Sequence, residues 1–281
     1  MNESRRITVN GQLFNTDEWV DGVLWEIEEA TGLGDPANVF TSEQKVAQDG
    51  EHATTGYRAA RAVGLVGRVT GSDEIRAELA FDVVRGLIAL DDFPVTFHYA
   101  SGDRTIWVRR DGEVTPQTRE LPTVFDWSVV LKAIDPAIYA GDGAGSGNLI
   151  LTTGLPNSSG GVAFPVTFPI TFTGASSSGD MVCTLAAGGK LTARIAGPVT
   201  DPSVLVENAL GLFRVAWRGI IPAGMWLDVD FDQREAKLQG QSSRVPYIRA
   251  WPRLAKGLNT IRFRAATFDT GTLTCTIRPT L

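Results

Sequence analysis

Asp228, Asp230 and Asp232 alternate along Trp226-Leu227-Asp228-Val229-Asp230-Phe231-Asp232, and a D-x-D-x-D spacing is how a calcium-binding loop begins. Such a loop also needs Gly at its sixth position and Glu at its twelfth, which here are Gln233 and Gln239. In an extended strand the three acids instead share one wet face, and Leu227, Val229 and Phe231 share the other. Glu26, Glu28 and Glu29 offer the paired carboxylates of glycoside hydrolysis. Alternation sets Glu26 and Glu28 on one strand face, opposite Trp25 and Ile27, so they read as a polar face. His98, in Phe97-His98-Tyr99, has no Ser or Cys nucleophile nearby in a sharp turn and reads as structural. Cys183 and Cys275 sit in strand-like runs. Two cysteines build no disulfide framework, and with His52 and His98 far off in sequence they build no tetrahedral zinc site. They read as small buried hydrophobes. Gly141-Asp142-Gly143-Ala144-Gly145-Ser146-Gly147 resembles a phosphate loop in composition but lacks the Gly-Lys-Ser/Thr ending and a following helix. Trp217, Trp226, Trp251 and Tyr247 could form a sugar-stacking platform, although core packing is the simpler use of such rings. No residue is therefore expected to be catalytic, to bind a cofactor or to hold a metal.

The bulk of the chain must position side chains for something other than catalysis. Its 281 residues suit two domains, each large enough to bury a core. A hydrophobic content of 43% and a charged content of 21% argue for folded structure over disorder. The net charge of −6 disfavours general adhesion to nucleic acid. No apolar run approaches the roughly 20 residues that span a bilayer, and Met-Asn-Glu-Ser-Arg-Arg lacks the apolar core of a signal peptide, so folding in a cytoplasm is expected.

Residues 1–140 read as a β domain with one helix. Ile7 and Val9 lead into Asn10-Gly11, a hairpin signal. Gly22–Ile27 and Arg58–Thr70 read as strands, the latter with Ala60, Ala62, Gly64 and Val66 on one face. Ser72 is placed to cap a helix over 73–90, in which Ile75, Leu79, Val83 and Leu87 recur every four residues and would pack on a sheet, with Ala80, Val84 and Ile88 beside them. Val95–Tyr99 and Arg104–Arg109 pair across Ser101-Gly102-Asp103, Glu113–Arg119 adds an edge strand, and Phe125–Ala133 is a further strand. The polar stretch 40–56 has no period; it reads as a long loop or projecting hairpin suited to subunit contacts.

Residues 141–163, rich in Gly and Ser, read as a linker or excursion with an apolar spot at Leu149-Ile150-Leu151. Residues 164–281 read as a β-sandwich of about eight strands. Phe164–Phe172 is its edge or irregular strand because of two prolines. Gly219–Phe263 supplies several consecutive antiparallel strands with one wet face. The fold class is thus mainly β with one long helix.

Two series of residues resemble the distal tail (Dit) protein family of phages with long, non-contractile tails. The first is Gly67-Arg68-Val69-Thr70-Gly71, then one helix, two strands, and Trp127-Ser128-Val129-Val130-Leu131-Lys132-Ala133-Ile134-Asp135-Pro136. The second is Pro222-Ala223-Gly224, Leu227-Asp228-Val229-Asp230, Leu238-Gln239-Gly240 and Leu254-Ala255-Lys256-Gly257-Leu258-Asn259-Thr260-Ile261. Met225 replaces the family's usual Asp after the Gly, and Lys256 stands where Pro is common.

The resemblance implies a β-barrel or sandwich-like first domain that forms a ring, commonly hexameric, and a galectin-like second domain that projects outward. It implies a homo-oligomer that contacts the tail tube protein, the tape measure protein and the tail-tip hub protein. DNA would pass through the ring's channel without specific binding, and no membrane would be involved. The expected place is the virion tail tip, after synthesis in the host cytoplasm. The alternative is a carbohydrate-binding protein that recognises a host cell-surface glycan through the C-terminal sandwich.

Overall fold

The computed structural model describes residues 5–45, 49, 51–53, 56–118, 121–155, 179–266 and 270–281. The chain divides into two compact units, Met1–Ser146 and Gly147–Leu281.

In the first unit, β1 (Ile7–Val9) and β2 (Gln12–Phe14) form a hairpin. Asn10 and Gly11 turn it at positive φ, 47° and 91°, as a two-residue primed turn requires. After β3 (Val23–Ala30) come β4 (Asn38–Val39), β5 (Ser42–Gln44), β6 (Glu51–Ala53) and β7 (Tyr57–Arg58). β5 pairs with β6 inside the β4–β7 pair, so of the two readings of 40–56, loop or hairpin, the described residues give two short hairpin ladders. Then follow β8 (Arg61–Gly71), α1 (Glu74–Leu87), β9 (Phe93–Tyr99), β10 (Gly102–Arg110), β11 (Thr115–Thr118), β12 (Val124–Ala133) and β13 (Tyr139–Ala140).

The main sheet has the order β2-β1-β9-β10-β12-β8-β3, with β11 on β12 and β13 on β10. It nearly closes into a barrel, because its end strands β2 and β3 meet again at Asn15. The Asn15 backbone N–H donates to Trp25 O at 2.9 Å. Its side-chain amide donates to Arg5 O and Ile27 O and accepts from the Ile27 N–H at 2.8 Å. Inside, Phe14, Phe97, Ile106, Trp127 and Leu131 are buried together. On β8 the core face is Val63, Leu65 and Val69; Ala62, Gly64 and Val66 lie on the opposite face. Gly67 is the position over which Trp127 lies: a Cβ there would sit 2.4 Å from the indole.

The helix differs from the sequence expectation in extent, cap and face. Asp73, not Ser72, is its N-cap, accepting the Arg76 N–H at 2.9 Å. Ala77, Ala80, Val84 and Ile88 are buried, whereas Ile75, Leu79 and Val83 are 68%, 60% and 46% exposed. The reason is close approach. A Cβ on Gly71 would lie 2.5 Å from the Ala77 backbone nitrogen. At that spacing Ala77 and Ala80 face the sheet, with Val84 and Ile88 following on the same side; Ile75, Leu79 and Val83 turn to solvent, and Leu87 stays partly buried against the core.

In the second unit the strands are β14 (Leu149–Gly154), β15 (Asp180–Leu185), β16 (Gly189–Ala196), β17 (Val199–Thr200), β18 (Ser203–Asn208) and β19 (Gly211–Ala216). They continue with β20 (Ile220–Ile221), β21 (Trp226–Asp230), β22 (Glu235–Leu238), β23 (Ser242–Ser243), β24 (Ile248–Arg249), β25 (Gly257–Arg264) and β26 (Thr272–Pro279). One sheet has the order β14-β26-β16-β21-β22-β23 and the other β15-β25-β18-β19-β24. Ile195, Leu227, Phe231, Ile261, Phe263 and Leu273 fill the core of this sandwich.

Two expectations are corrected here. Gly219–Phe263 does not form one wet-faced sheet: β21 to β23 join the six-stranded sheet, and β24 and β25 join the five-stranded one. Nor is 141–163 a linker throughout, since Leu149–Gly154 pairs with Thr272–Ile277 over six residues. Its partner strand is distant in sequence, so nothing local marks it. Phe164–Phe172 lies outside the described residues.

Candidate functional site

The three alternating acids of β21 and the turn after it are each committed locally. Asp228 receives Arg194 Nε at 2.7 Å, Arg194 Nη2 at 3.2 Å and the Trp226 indole N–H at 2.9 Å. Asp230 accepts the backbone N–H groups of Asp232 and Gln233, and Asp232 pairs with Lys190 at 2.8 Å. They do not converge, and among the described residues no three His, Cys, Asp or Glu side chains are grouped to hold a metal. Glu28 pairs with Arg68, which also binds Asp126 at 2.8 Å; this network raises the Arg68 pKa, chiefly through the Asp126 hydrogen bond. Thus the glutamates of β3 form a charged face, interrupted by a register shift between Ile27 and Glu29.

His98 is held on both sides, with Nδ1 2.8 Å from Asp103 and Nε2 2.8 Å from the Thr8 hydroxyl. His52 lies on β6, in the other part of the unit's chain. Cys183 and Cys275 are both buried, unbridged thiols. Burial pushes the Cys275 pKa up to about 12, with nearby Cys183 adding to the shift.

The glycine-rich loop encloses its own acid. Asp142 Oδ1 accepts the Ala144 and Ser146 N–H groups, and the bond from Ser146 leads the causes that lower the Asp142 pKa. Thr105 and Thr96 donate to the carbonyls of Gly141 and Asp142. The amides that a phosphate would need are thus turned onto a carboxylate of the chain itself.

The four aromatics of the sandwich form no common platform. Trp217 is buried in the core, Trp251 packs edge-on against Phe231 at 6.0 Å, and Tyr247 stacks with Arg218 at 4.7 Å. Trp226 stands apart from these on the outer face of the six-stranded sheet, beside Arg194.

Sequence reading misses several side chains that organise the units. Arg61 is buried and donates to the carbonyls of Gly32, Gly34 and Pro136; desolvation lowers its pKa. Asp135, next to that Pro136, accepts the Tyr139 hydroxyl. In the sandwich, Asn259 is fully buried. It receives Asn208 Nδ2 and the Ala255 N–H and donates to Ala255 O and Gly257 O.

Among the described residues, three surfaces are considered as places where another molecule could act. One is the exposed stripe Ile75, Leu79 and Val83 on α1. The second is the base of the 38–58 hairpin, where Val39, Phe40 and Tyr57 are exposed. The third is a cleft of about 460 Å3 on the outer face of the six-stranded sheet, lined by Thr192, Arg194, Asp228, Asp230, Lys237 and Thr276 among others. It joins residues from β16, β21, β22 and β26, and no local run of sequence signals it.

No protein-family model and no curated protein matches the chain. Solved structures do. The SPP1 Dit protein, described as a paradigm of the hub adsorption apparatus in phages infecting Gram-positive hosts, matches with a TM-score of 0.59 at 15% identity, over 97% of this chain and 98% of that one. The phage P2 baseplate in its activated conformation with Ca matches with a TM-score of 0.53 at 9% identity, over 98% of each chain. The corresponding structure with Sr gives 0.51 at 8% identity, over 96% of this chain and 97% of that one. At these identities the likeness is one of fold, and it extends across both units. The fold expected from the Dit resemblance is the fold of this chain.

Proposed function

We propose that this chain is a structural subunit of a phage tail tip. It forms a ring, hexameric by the family resemblance, that joins the tail tube to the tail-tip hub and leaves a channel for DNA. The observation that carries the reading is the end-to-end likeness of fold to the SPP1 Dit protein. The first unit is suited to ring formation. It presents two apolar surfaces of different kinds, the α1 stripe and the hairpin base. If the hairpin of one copy covers the helix of the next, the contact is heterologous, and such contacts close into rings when the rotation allows. The net charge of −6 per copy discourages stable contact with passing DNA. Tube, tape measure and hub proteins are the partners that this role requires, and its setting is the virion tail tip.

Light scattering of the purified chain across a concentration range, with electron microscopy of the chain mixed with purified tail tubes, tests the proposal. A closed oligomer near six subunits, or rings capping tube ends, supports it. A monomer at every concentration that also leaves tube ends bare overturns it.

A further inference from the structure

Charge is unevenly placed along the chain. Residues 147–281 hold thirteen Lys and Arg against eight Asp and Glu, so the net charge of −6 belongs to the first unit. No acid occurs between Glu207 and Asp228, or between Glu235 and Asp269. These two basic stretches meet where β24 pairs with β19. The described carboxylates of the unit are engaged elsewhere. Asp180 and Glu207 pair with Arg262, Asp228 with Arg194, Asp232 with Lys190 and Glu235 with Lys237, while Asp201 and Asp230 accept backbone N–H groups. Among the described residues, Arg214, Arg218, Arg244 and Arg249 are thus left without a carboxylate partner at this edge of the sandwich.

The core is open at the same edge. The segment from Arg244 to Tyr247 crosses from the six-stranded sheet to the five-stranded one. Its anchors are the Arg244 N–H on Ala236 O at 2.8 Å and the Tyr247 N–H on Ala216 O at 2.9 Å. Val245, between the anchors, is 68% exposed. Beside this crossing lies a pocket of about 260 Å3. Its buried side chains are Trp217, Ile221 and Leu227, and its exposed ones include Arg218, Arg244 and Val245. Pockets that take a whole small molecule start at about 300 Å3. This one is smaller and suits a single large side chain. The only polar side-chain groups in its lining are the two guanidiniums and the Trp217 indole N–H. A nucleobase would lose water from its polar edges there with few partners to replace it, whereas a Leu or Phe side chain has no such edge. Arg218 is held over the Tyr247 ring, 4.7 Å from its centroid, which limits its freedom before a carboxylate arrives. Unpaired arginines around an apolar pocket complement a segment that carries an apolar side chain among acids.

We propose that this pocket docks an acidic segment of a partner protein. One large apolar side chain enters between Trp217, Leu227 and Val245, and its acidic neighbours pair with Arg218 and Arg244. The contact uses the second unit alone and does not depend on the ring contact through α1 and the hairpin.

Fluorescence anisotropy of the full chain, in its native oligomeric state, tests the site. The probes are fluorescein-labelled peptides of Asp and Glu around one central Leu, Phe, Met or Trp, with protein up to about 1 mM. The expected result is saturable binding of at least one probe, weakened by added salt because the arginines are exposed. Ala at the centre of that probe should weaken binding about tenfold or more, as for an apolar side chain no longer buried. Arg218→Ser and Arg244→Ser should each weaken it about two- to fivefold, as for one exposed ion pair. Arg109→Ser, in the first unit, should leave it unchanged. Circular dichroism establishes that the variants are folded, and the Ala-centred probe keeps the test decisive without any variant. Absence of binding by every probe, equal affinity for the Ala-centred probe, or equal affinity in the double variant of Arg218→Ser and Arg244→Ser overturns the proposal. So does an oligothymidylate of matched charge that binds as tightly as the best peptide. A lower scattering mass for the double variant than for wild type would put a second copy in the pocket and overturns the partner. The ring reading stands or falls separately, by the scattering mass of the wild type and its binding to tube ends.

Discussion

Asn15 closes the first unit's sheet with a single amide. Its three side-chain bonds reach Arg5 and both backbone groups of Ile27, and its φ of 59° suits Asn better than most residues. Asn15→Ala strands those groups in a buried setting and adds left-handed strain. We expect a loss of about 2–4 kcal/mol, read from tryptophan-fluorescence urea denaturation. Cys275 sets a different dependence. The folded state keeps its proton up to about 12, while an exposed thiol ionises near 9.0. Between these values the unfolded state binds fewer protons, so stability falls as pH rises, by up to about 1.4 kcal/mol per pH unit from this group. Its contribution is full below pH 9, and Cys275→Ala should flatten the slope of unfolding free energy between pH 9 and 12. Sequence alone made both cysteines buried and the alternating acids solvated, because strand alternation is local. It could not mark Asn15 or Arg61, whose importance comes from carbonyls brought to them by other strands.

At the scale of elements, α1 shows how a correct period can leave the face undecided. Two apolar stripes run along it, and the larger one reads as the core side. The gap above Gly71 selects the smaller stripe instead. Two substitutions separate the faces. Leu79→Asp changes an exposed position and should alter stability by no more than about 0.5 kcal/mol; under the proposed ring contact through this stripe it should also shift the scattering mass toward monomer. Val84→Asp buries a charge without a partner and should cost about 4 kcal/mol or more, unfolding the first unit in circular dichroism. Most strands were legible from alternation and from turn signals such as Asn10-Gly11. Their assignment to sheets was not, because alternation fixes which side chains share a face and not which strand lies alongside.

For the whole molecule, two cores in two units were legible from length and from the change in composition near residue 141. The segment 141–163, read as linker or excursion, holds the whole of β14, because the Gly and Ser around it suggest a linker while its partner lies far away: Thr152 and Thr274, joined by a hydroxyl contact, are 122 residues apart. Fragments report this directly. A 147–281 fragment should unfold in one cooperative transition and stay monodisperse. A 164–281 fragment lacks β14, exposes the edge of β26, and should lose stability and aggregate, as unpaired edges do. Size-exclusion chromatography and thermal denaturation of the two fragments compare them.

The same pairing has an evolutionary side. Leu149 stands opposite Ile277, so the first strand of this unit begins beside the end of β26. Such a unit is a cassette. A unit whose first and last strands are neighbours tolerates insertion or exchange without rerouting the rest of the chain. A sequence grafted after Leu281 would emerge beside the start of β14 and would leave the loops at the opposite end of the sandwich free to vary.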